Sequence, residues 1–355
     1  MNRIKVAIVG VGSISNCHLS AYLAHQELFE VYAFCDINKE RLESMGKKYG
    51  VTRLYTDEAE MLAALPEIDA VDVCTWNAAH APCSIMALEA GKHTFCEKPM
   101  AMTVEEAIAM KAAADKAGKL LMIGFVRRFG QDCEILKDFV KGGTLGELYY
   151  TKVRYLRRNG CPGGWFGNKE LSGGGPLIDL GVHVIDLARY IMGNKKPVSV
   201  YGLTYDKIGK RTNIKKGTKA YVASTAGNED IYNCEDMASA LIRFEDGSAI
   251  SAEASFSLNI EKDENYLQFF GDKGGARLDS NLTVYTDMNG YLVNVGLSGK
   301  SGPDFDQIFK DEIKNFGEAI NGTSECRNPA EDGIEMMKIL RAIYDSAESG
   351  HEVIL

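Results

Sequence analysis

The chain has 355 residues, 45% apolar and 25% charged, the balance of an ordinary globular protein with enough core for about two domains. A formal net charge of −9 argues against nucleic acid and against an anionic membrane surface as partners, since both attract basic faces. No apolar run approaches the ~20 residues of a membrane span, and Met1-Asn2-Arg3-Ile4-Lys5 runs directly into a strand-like segment rather than a secretory leader.

In chain order, Ile4–Val9 is a short apolar run ending in glycines, and 31–35 is a second, ending at Asp36. Segments 70–75, 93–96 and 120–123 read as further buried strands. Helical periodicity fills the gaps at 84–90 and Val104–Ala117, where Thr103 and Glu106 have capping-box spacing. Strand–helix alternation predicts a parallel, doubly wound α/β sheet over residues 1–124.

After Gly124 the pattern changes. A helix-like stretch (132–140) leads to a strand (Leu148–Leu156), a glycine- and aromatic-rich loop (159–172) and a helix (176–191). Strand-like runs follow at 198–205, Met237–Phe244, 249–258, 266–270 and 282–286, with Asp246-Gly247 as a hairpin turn. Two helices, Phe305–Ile320 and Ala330–Ser349, end the chain. Residues 125–355 therefore read as an α+β domain with a large, mainly antiparallel open sheet, its terminal helices available to pack back on the first domain. The basic cluster 207–219, with Arg211, Lys215 and Lys216, reads as a solvated loop. Nine cysteines, odd in number and without CxxC spacing, read as reduced thiols of a cytoplasmic protein, and no metal site is expected.

The first strand ends in Gly10-Val11-Gly12-Ser13-Ile14-Ser15, a dinucleotide fingerprint with serine in the third small position. The glycines allow the tight turn and close approach of a pyrophosphate, and the following helix start offers free N–H groups. Asp36 ends the second strand, 21 residues beyond Ser15, where a carboxylate holds the ribose hydroxyls of NAD and repels a 2′-phosphate. No arginine directly follows it, so NAD is favoured over NADP.

Three further segments carry chemistry. Cys96-Glu97-Lys98-Pro99 lies just past a parallel strand, at the edge where open α/β sheets bind ligands; a lysine held there by proline stabilises a developing alkoxide. Asp179 and His183, four apart after the run Gly173-Gly174-Gly175, share one helix face. The imidazole takes a hydroxyl proton while the carboxylate orients it. Asp186, one turn on, reads as structural. In Thr75-Trp76-Asn77-Ala78-Ala79-His80, between strand and helix, Asn77 caps the helix or bonds the nicotinamide ribose, and His80 lies near the cofactor or closes the helix start.

With these residues in view, nearly the whole chain resembles the glucose–fructose oxidoreductase, inositol dehydrogenase and rhizopine-catabolism (Gfo/Idh/MocA) family. Its most specific marks are Ala90-Gly91-Lys92-His93 leading into Glu97-Lys98-Pro99, and the glycine run leading to Asp179 and His183. The resemblance implies a Rossmann domain, hydride transfer between NAD and a ring hydroxyl of a sugar, glycoside or cyclic polyol (the third carbon of a glucoside is one expectation), and a homo-oligomer. It assigns catalysis to Lys98, Asp179 and His183. Gly10, Gly12, Ser13, Ile14, Asp36, Thr75, Asn77, His80, Glu97 and Lys98 fall to the cofactor. Substrate walls fall to Arg127, Arg128, Tyr155, Asn159 and Trp165, beside Asp179 and His183. Trp76 stands where the family often has proline, which reshapes the nicotinamide side. Three rival readings remain: an enzyme that retains NAD and oxidises a sugar only transiently, a non-catalytic NAD-binding regulator, and an NADP-using imine or biliverdin-type reductase, the last disfavoured by Asp36 and the Asp179/His183 pair.

Overall fold

A computed structural model describes residues 3–209, 211, 214, 223, 227, 230–299 and 301–355. Met1 and Asn2 of the N-terminal segment, and Lys215, Lys216 and Lys219 of the basic cluster, lie outside the described residues. The chain divides into two compact units, Met1–Val126 with Phe305–Met337, and Arg127–Asp304 with Lys338–Leu355.

The first unit alternates β1 (Ile4–Val9), α1 (Ser15–Ala24), β2 (Phe29–Cys35), α2 (Lys39–Tyr49), β3 (Leu54–Tyr55), α3 (Glu58–Ala64), β4 (Ala70–Val73), α4 (His80–Glu89), β5 (His93–Glu97), α5 (Val104–Ala117) and β6 (Leu121–Gly124). All strand pairs are parallel, in the order β3-β2-β1-β4-β5-β6, which is the Rossmann order. The central strands are apolar and closed on both faces: Val6 to Val9 and Ala70 to Val73 are buried. Helix starts are set by local caps. Asn38 accepts the Arg41 N–H at 2.9 Å, Asp57 the Glu60 N–H at 2.9 Å, and Thr103 with Glu106 forms the expected capping box of α5.

The second unit holds α6 (Gln131–Lys141), β7 (Leu148–Leu156), α7 (Lys169–Ser172), α8 (Val182–Ile191), β8 (Pro197–Tyr205), β9 (Met237–Phe244), β10 (Ala249–Ser255), β11 (Glu264–Gly271), β12 (Gly275–Leu278), β13 (Leu282–Met288) and β14 (Tyr291–Gly296). After these come α9 (Phe305–Ile320), which belongs to the first unit, α10 (Ala330–Ser349), within which the division between units falls, and β15 (Val353–Ile354). The nine-stranded sheet runs β14-β13-β12-β11-β7-β10-β9-β8-β15, antiparallel except for the β7–β10 pair. One face carries the buried residues, such as Val153, Ile242, Ile250 and Phe269; the other leaves Tyr201, Leu203 and Leu241 exposed.

Helix α9 closes the first unit against α1 and the sheet: the Phe316 ring lies 6.5 Å from Phe29 and 5.6 Å from Phe95. Among the described residues no helix is long and apolar enough to cross a membrane.

Glu58, at the start of α3, is buried with the Cys83 thiol as its neighbour, and burial pushes its carboxyl up from 4.5 to about 7. The folded protein therefore binds this proton more tightly than the unfolded chain. The associated stability is fully present below pH 4.5 and is lost as pH rises to and through 7. Replacing Glu58 by Gln should stabilise the protein by about 1–3 kcal/mol at pH 8, a gain that fades on acidification. Urea unfolding of both proteins at pH 4.5 and pH 8 measures it; a pH-independent difference would remove this account.

Candidate active site

The cofactor edge is built by the chain leaving β1. Gly10 has φ +89°, and a Cβ there would lie 2.8 Å from the Cys74 carbonyl, so this turn and the one after β4 cross at backbone distance. At Gly12 a Cβ would meet nothing within 4 Å, so the approach to the backbone is open. The Ser15 hydroxyl closes the turn on Gly12 O at 2.8 Å, Ser13 is exposed, and Ile14 precedes α1 without a side-chain cap on the helix. An open glycine and an uncapped helix start are what a pyrophosphate needs.

Asp36 follows β2 at the same edge. Its Oδ2 accepts the Val11 N–H at 2.8 Å and its Oδ1 the Asn38 N–H at 2.8 Å. Arg41 adds a two-point contact, Nε to Oδ2 at 3.2 Å and NH2 to Oδ1 at 2.9 Å. The sequence places no arginine directly after Asp36; one helical turn brings Arg41 back to it. These groups fit a dinucleotide with the ribose at Asp36.

Two expected cofactor ligands are instead turned to the protein. His80 is buried, with Nδ1 2.7 Å from Pro99 O and Nε2 3.3 Å from Thr75 O; burial lowers its pKa. A neutral ring donating to Pro99 ties the turn after β4 to the Glu97-Lys98-Pro99 turn. Glu97 is buried as well, one oxygen against His18 Nε2 at 2.9 Å and the other accepting the Lys98 N–H at 3.0 Å. Both its oxygens thus have protein partners, as those of Asp36 do. Thr75 stays partly open, its hydroxyl on Trp76 O at 3.2 Å; Asn77 is buried and opens a short 3-10 turn, Asn77–Ala79. Lys98 is half-buried and the Lys98–Pro99 peptide is cis.

In the second unit the expected helix begins with a wide π turn, Leu177–Gly181, before α8. Such turns recur at functional positions. Within residues 176–189 only Asp179 and His183 keep partial exposure, so the two polar residues four apart define the one open strip of a buried helix. Sequence reasoning missed what holds its start. Buried Glu235 accepts the Gly175 N–H at 2.9 Å, the Leu177 N–H at 3.2 Å and the Tyr344 hydroxyl at 2.8 Å. A Cβ at Gly175 would meet Glu235 O at 2.4 Å, which is why this segment is glycine-rich. Glu235 lies some 60 residues away in sequence, and only the acidic pair before β9 hints at it.

The expected substrate walls divide. Arg128 is fully buried: Nε meets Asp186 Oδ2 at 2.9 Å, NH2 forms a second close bond to Oδ1, and the guanidinium lies 4.6 Å from the Tyr190 ring centroid. It is a core ion-pair residue and not a substrate contact, and Asp186 is structural as expected. Arg127 donates to Asp132 at 3.0 Å and stays half-buried. Tyr155 packs against Leu180, Ala254 and Phe256, beside the Asp179 turn; Asn159 is half-buried and bridges to Ser257; Trp165 stacks on Phe166 at 4.0 Å.

Residues 4–125 match the oxidoreductase family with an NAD-binding Rossmann fold, and 137–355 match its C-terminal alpha/beta domain. D-glucoside 3-dehydrogenase of Escherichia coli (strain K12) is 38% identical over 355 residues, spanning 99% of this chain and 97% of that one. The chain belongs to the Gfo/Idh/MocA family. Levoglucosan dehydrogenase of Pseudarthrobacter phenanthrenivorans is 30% identical over 76% of this chain and 71% of its own. Among solved structures, aldose-aldose oxidoreductase from Caulobacter crescentus, complexed with glycerol, superposes with TM-score 0.81 at 26% identity, covering 100% of both chains. A levoglucosan dehydrogenase complex with NADH has the same fold, with TM-score 0.86 at 23% identity over 99% of each chain.

For this Gfo/Idh/MocA member the Asp36–Arg41 pair predicts cofactor choice. Asp36→Ala should weaken NAD binding about 10–100-fold and release Arg41 toward a 2′-phosphate, so the NAD/NADP preference falls. Adding Arg41→Ala should remove the gained NADP binding. Titration of reduced-cofactor fluorescence reads both; unchanged discrimination in Asp36→Ala would sink the assignment.

Proposed function

We propose that the chain oxidises a ring hydroxyl of a sugar, glycoside or cyclic polyol to a ketone, with the C3 hydroxyl of a D-glucoside as the first substrate to test. The carrying observation is the partly exposed Asp179/His183 strip on an otherwise buried helix, in a chain similar over nearly its whole length to a D-glucoside 3-dehydrogenase.

Bound NAD supplies the hydride acceptor. His183 takes the hydroxyl proton as the carbon releases its hydride, Asp179 orients the ring and stabilises its cationic form, and Lys98 lends positive charge to the forming alkoxide. The alcohol thus loses one hydride and one proton and becomes a ketone. Gly10, Gly12, Ser13, Ile14, Asp36, Thr75 and Asn77 hold the cofactor, and Arg127, Tyr155, Asn159 and Trp165 remain the candidates for holding the sugar, which aromatic faces and hydrogen-bonding groups suit.

A cytoplasmic homo-oligomer is part of the same reading. The nine free cysteines suit a reducing compartment. The open sheet face carries Tyr201, Leu203, Tyr205 and Leu241 at 37–44% exposure, and Tyr201 pairs directly with Leu241, making an apolar patch of the kind that subunits cover. Light scattering should report a mass of at least two chains; a monomer at micromolar concentration would end that part of the proposal.

The catalytic reading is tested by NADH absorbance with a panel of glucosides, aldoses and inositols. The parent should form NADH in step with ketone. Lys98→Ala and His183→Ala should each lose about 10²–10⁴-fold in kcat while NADH binding stays within a few-fold. Parent-like turnover in both variants would overturn the assigned roles, and sugar conversion without net NADH would favour an enzyme that retains its cofactor.

A further inference from the structure

We infer that His18 is a positioning residue, whose imidazolium bridges Asp72 to Glu97 and so fixes the main chain that carries Lys98. His18 lies in α1, facing inward with no exposed surface. Its Nδ1 lies 2.8 Å from Asp72 Oδ2 and 3.4 Å from Cys74 Sγ, and its Nε2 lies 2.9 Å from Glu97 Oε1. The ring is held in place by the edge of Phe95 at 5.3 Å and by Phe309 at 5.7 Å.

A carboxylate stands at each ring nitrogen. A neutral imidazole has one N–H and would leave a lone pair facing a carboxylate; the imidazolium donates to both. Burial works against the cation, but the Asp72 carboxylate beside Nδ1 outweighs it and holds the pKa well above its ordinary value. The bridge thereby offsets part of the cost of burying Glu97 as an anion and holds its carboxyl below the usual range. The second oxygen of Glu97 accepts the Lys98 N–H, while His80 holds Pro99 O from the other side. The main chain is therefore held at the Lys98 N–H and, one residue on, at Pro99 O, and the Glu97 grip is anchored through His18 to Asp72 of β4. Small misplacement of a reacting group costs on the order of 10²-fold in rate.

His18→Gln keeps the side chain's reach but cannot donate to two carboxylates with one amide nitrogen in the same geometry. It should lower kcat about 10–100-fold, with KM for the sugar and Kd for NADH within about threefold of the parent. Glu97→Gln, which leaves a single carbonyl oxygen for two donors, should do the same and serves if His18→Gln does not fold. The deciding measurement is a double-mutant cycle. In a Lys98→Met background, His18→Gln should cause no further loss of kcat, because His18 acts through Lys98. An equal loss in both backgrounds, or a loss of NADH binding that parallels the loss of kcat, would reduce His18 to a general structural role.

This inference rests on Lys98 being catalytic, and a second readout separates the two. Nitrogen-15 spectra of the parent at pH 8 should show both His18 ring nitrogens protonated, whatever the substrate. A single protonated nitrogen would overturn the bridge. If no sugar is oxidised by the parent, the proposed activity falls and the spectrum alone decides the bridge.

Discussion

At the centre of the first unit, the chain leaving β1 crosses the chain leaving β4 with no room for a side chain between them. Gly10 makes that crossing possible, and the edge around it depends on it. The crossing sets the turn that leads into α1 beside the turn that begins at Cys74 and Thr75. His80 then links that turn to Pro99, and His18 links α1 to Glu97. A residue with a side chain at position 10 would push apart the two turns against which the later segments register.

Both units solve the same problem in the same way. A functional loop has main-chain N–H groups that no regular element satisfies, and water is excluded from the side that faces the core. A buried carboxylate has lone pairs that need donors and is costly without them. Pairing the two removes both costs and leaves the loop with one conformation. Asp36 holds Val11 and Asn38, Glu97 holds Lys98, and Glu235 holds Gly175 and Leu177. Asp36 and Glu235 each reach an N–H of a distant segment, Val11 and Gly175, whereas Glu97 holds the residue next to it and is itself tied to α1 through His18. The alternative, a turn solvated on its inner face, would cost the rigidity that orients the lysine and the Asp179/His183 strip.

Legibility in the sequence follows locality. The Rossmann half could be read because its signals are short-range: apolar runs, glycines at strand ends, caps such as Thr103 with Glu106. The two-residue β3 left no pattern. In the second half the strand-rich, mainly antiparallel character was readable from alternation and Asp246-Gly247, but the parallel β7–β10 pair joins segments some hundred residues apart, which no local pattern encodes. The π turn was hidden because its residues differ little from those of a helix. The inward partners of Arg128, His80 and Glu97 are not legible for one reason: a polar residue next to a motif can face the ligand or face the core, and sequence does not say which. His18 passed unnoticed because one polar residue on an apolar helix carries no sign of the two carboxylates that wait for it.

The histidines show how burial sorts such residues into roles. A general base needs a free lone pair, some access to substrate and a partner for its cationic form. His18 has no surface, and two carboxylates hold its proton in place. His80 is buried and committed to Pro99 O. His93 opens β5, and its Nδ1 accepts the Leu120 N–H at 3.1 Å; His25 follows α1 and bonds Lys310 O at 3.1 Å. In a parallel sheet both of these stand at the amino ends of the strands, away from the edge where ligands bind. His351 lies in the tail beyond α10 and is exposed. His183 alone joins partial exposure to an aspartate one turn away on the same face, in a segment whose start is held by Glu235. That combination supports His183 as the proton acceptor: His18 and His80 are buried, His25 and His93 stand at the opposite edge of the sheet, and His351 lies in the tail.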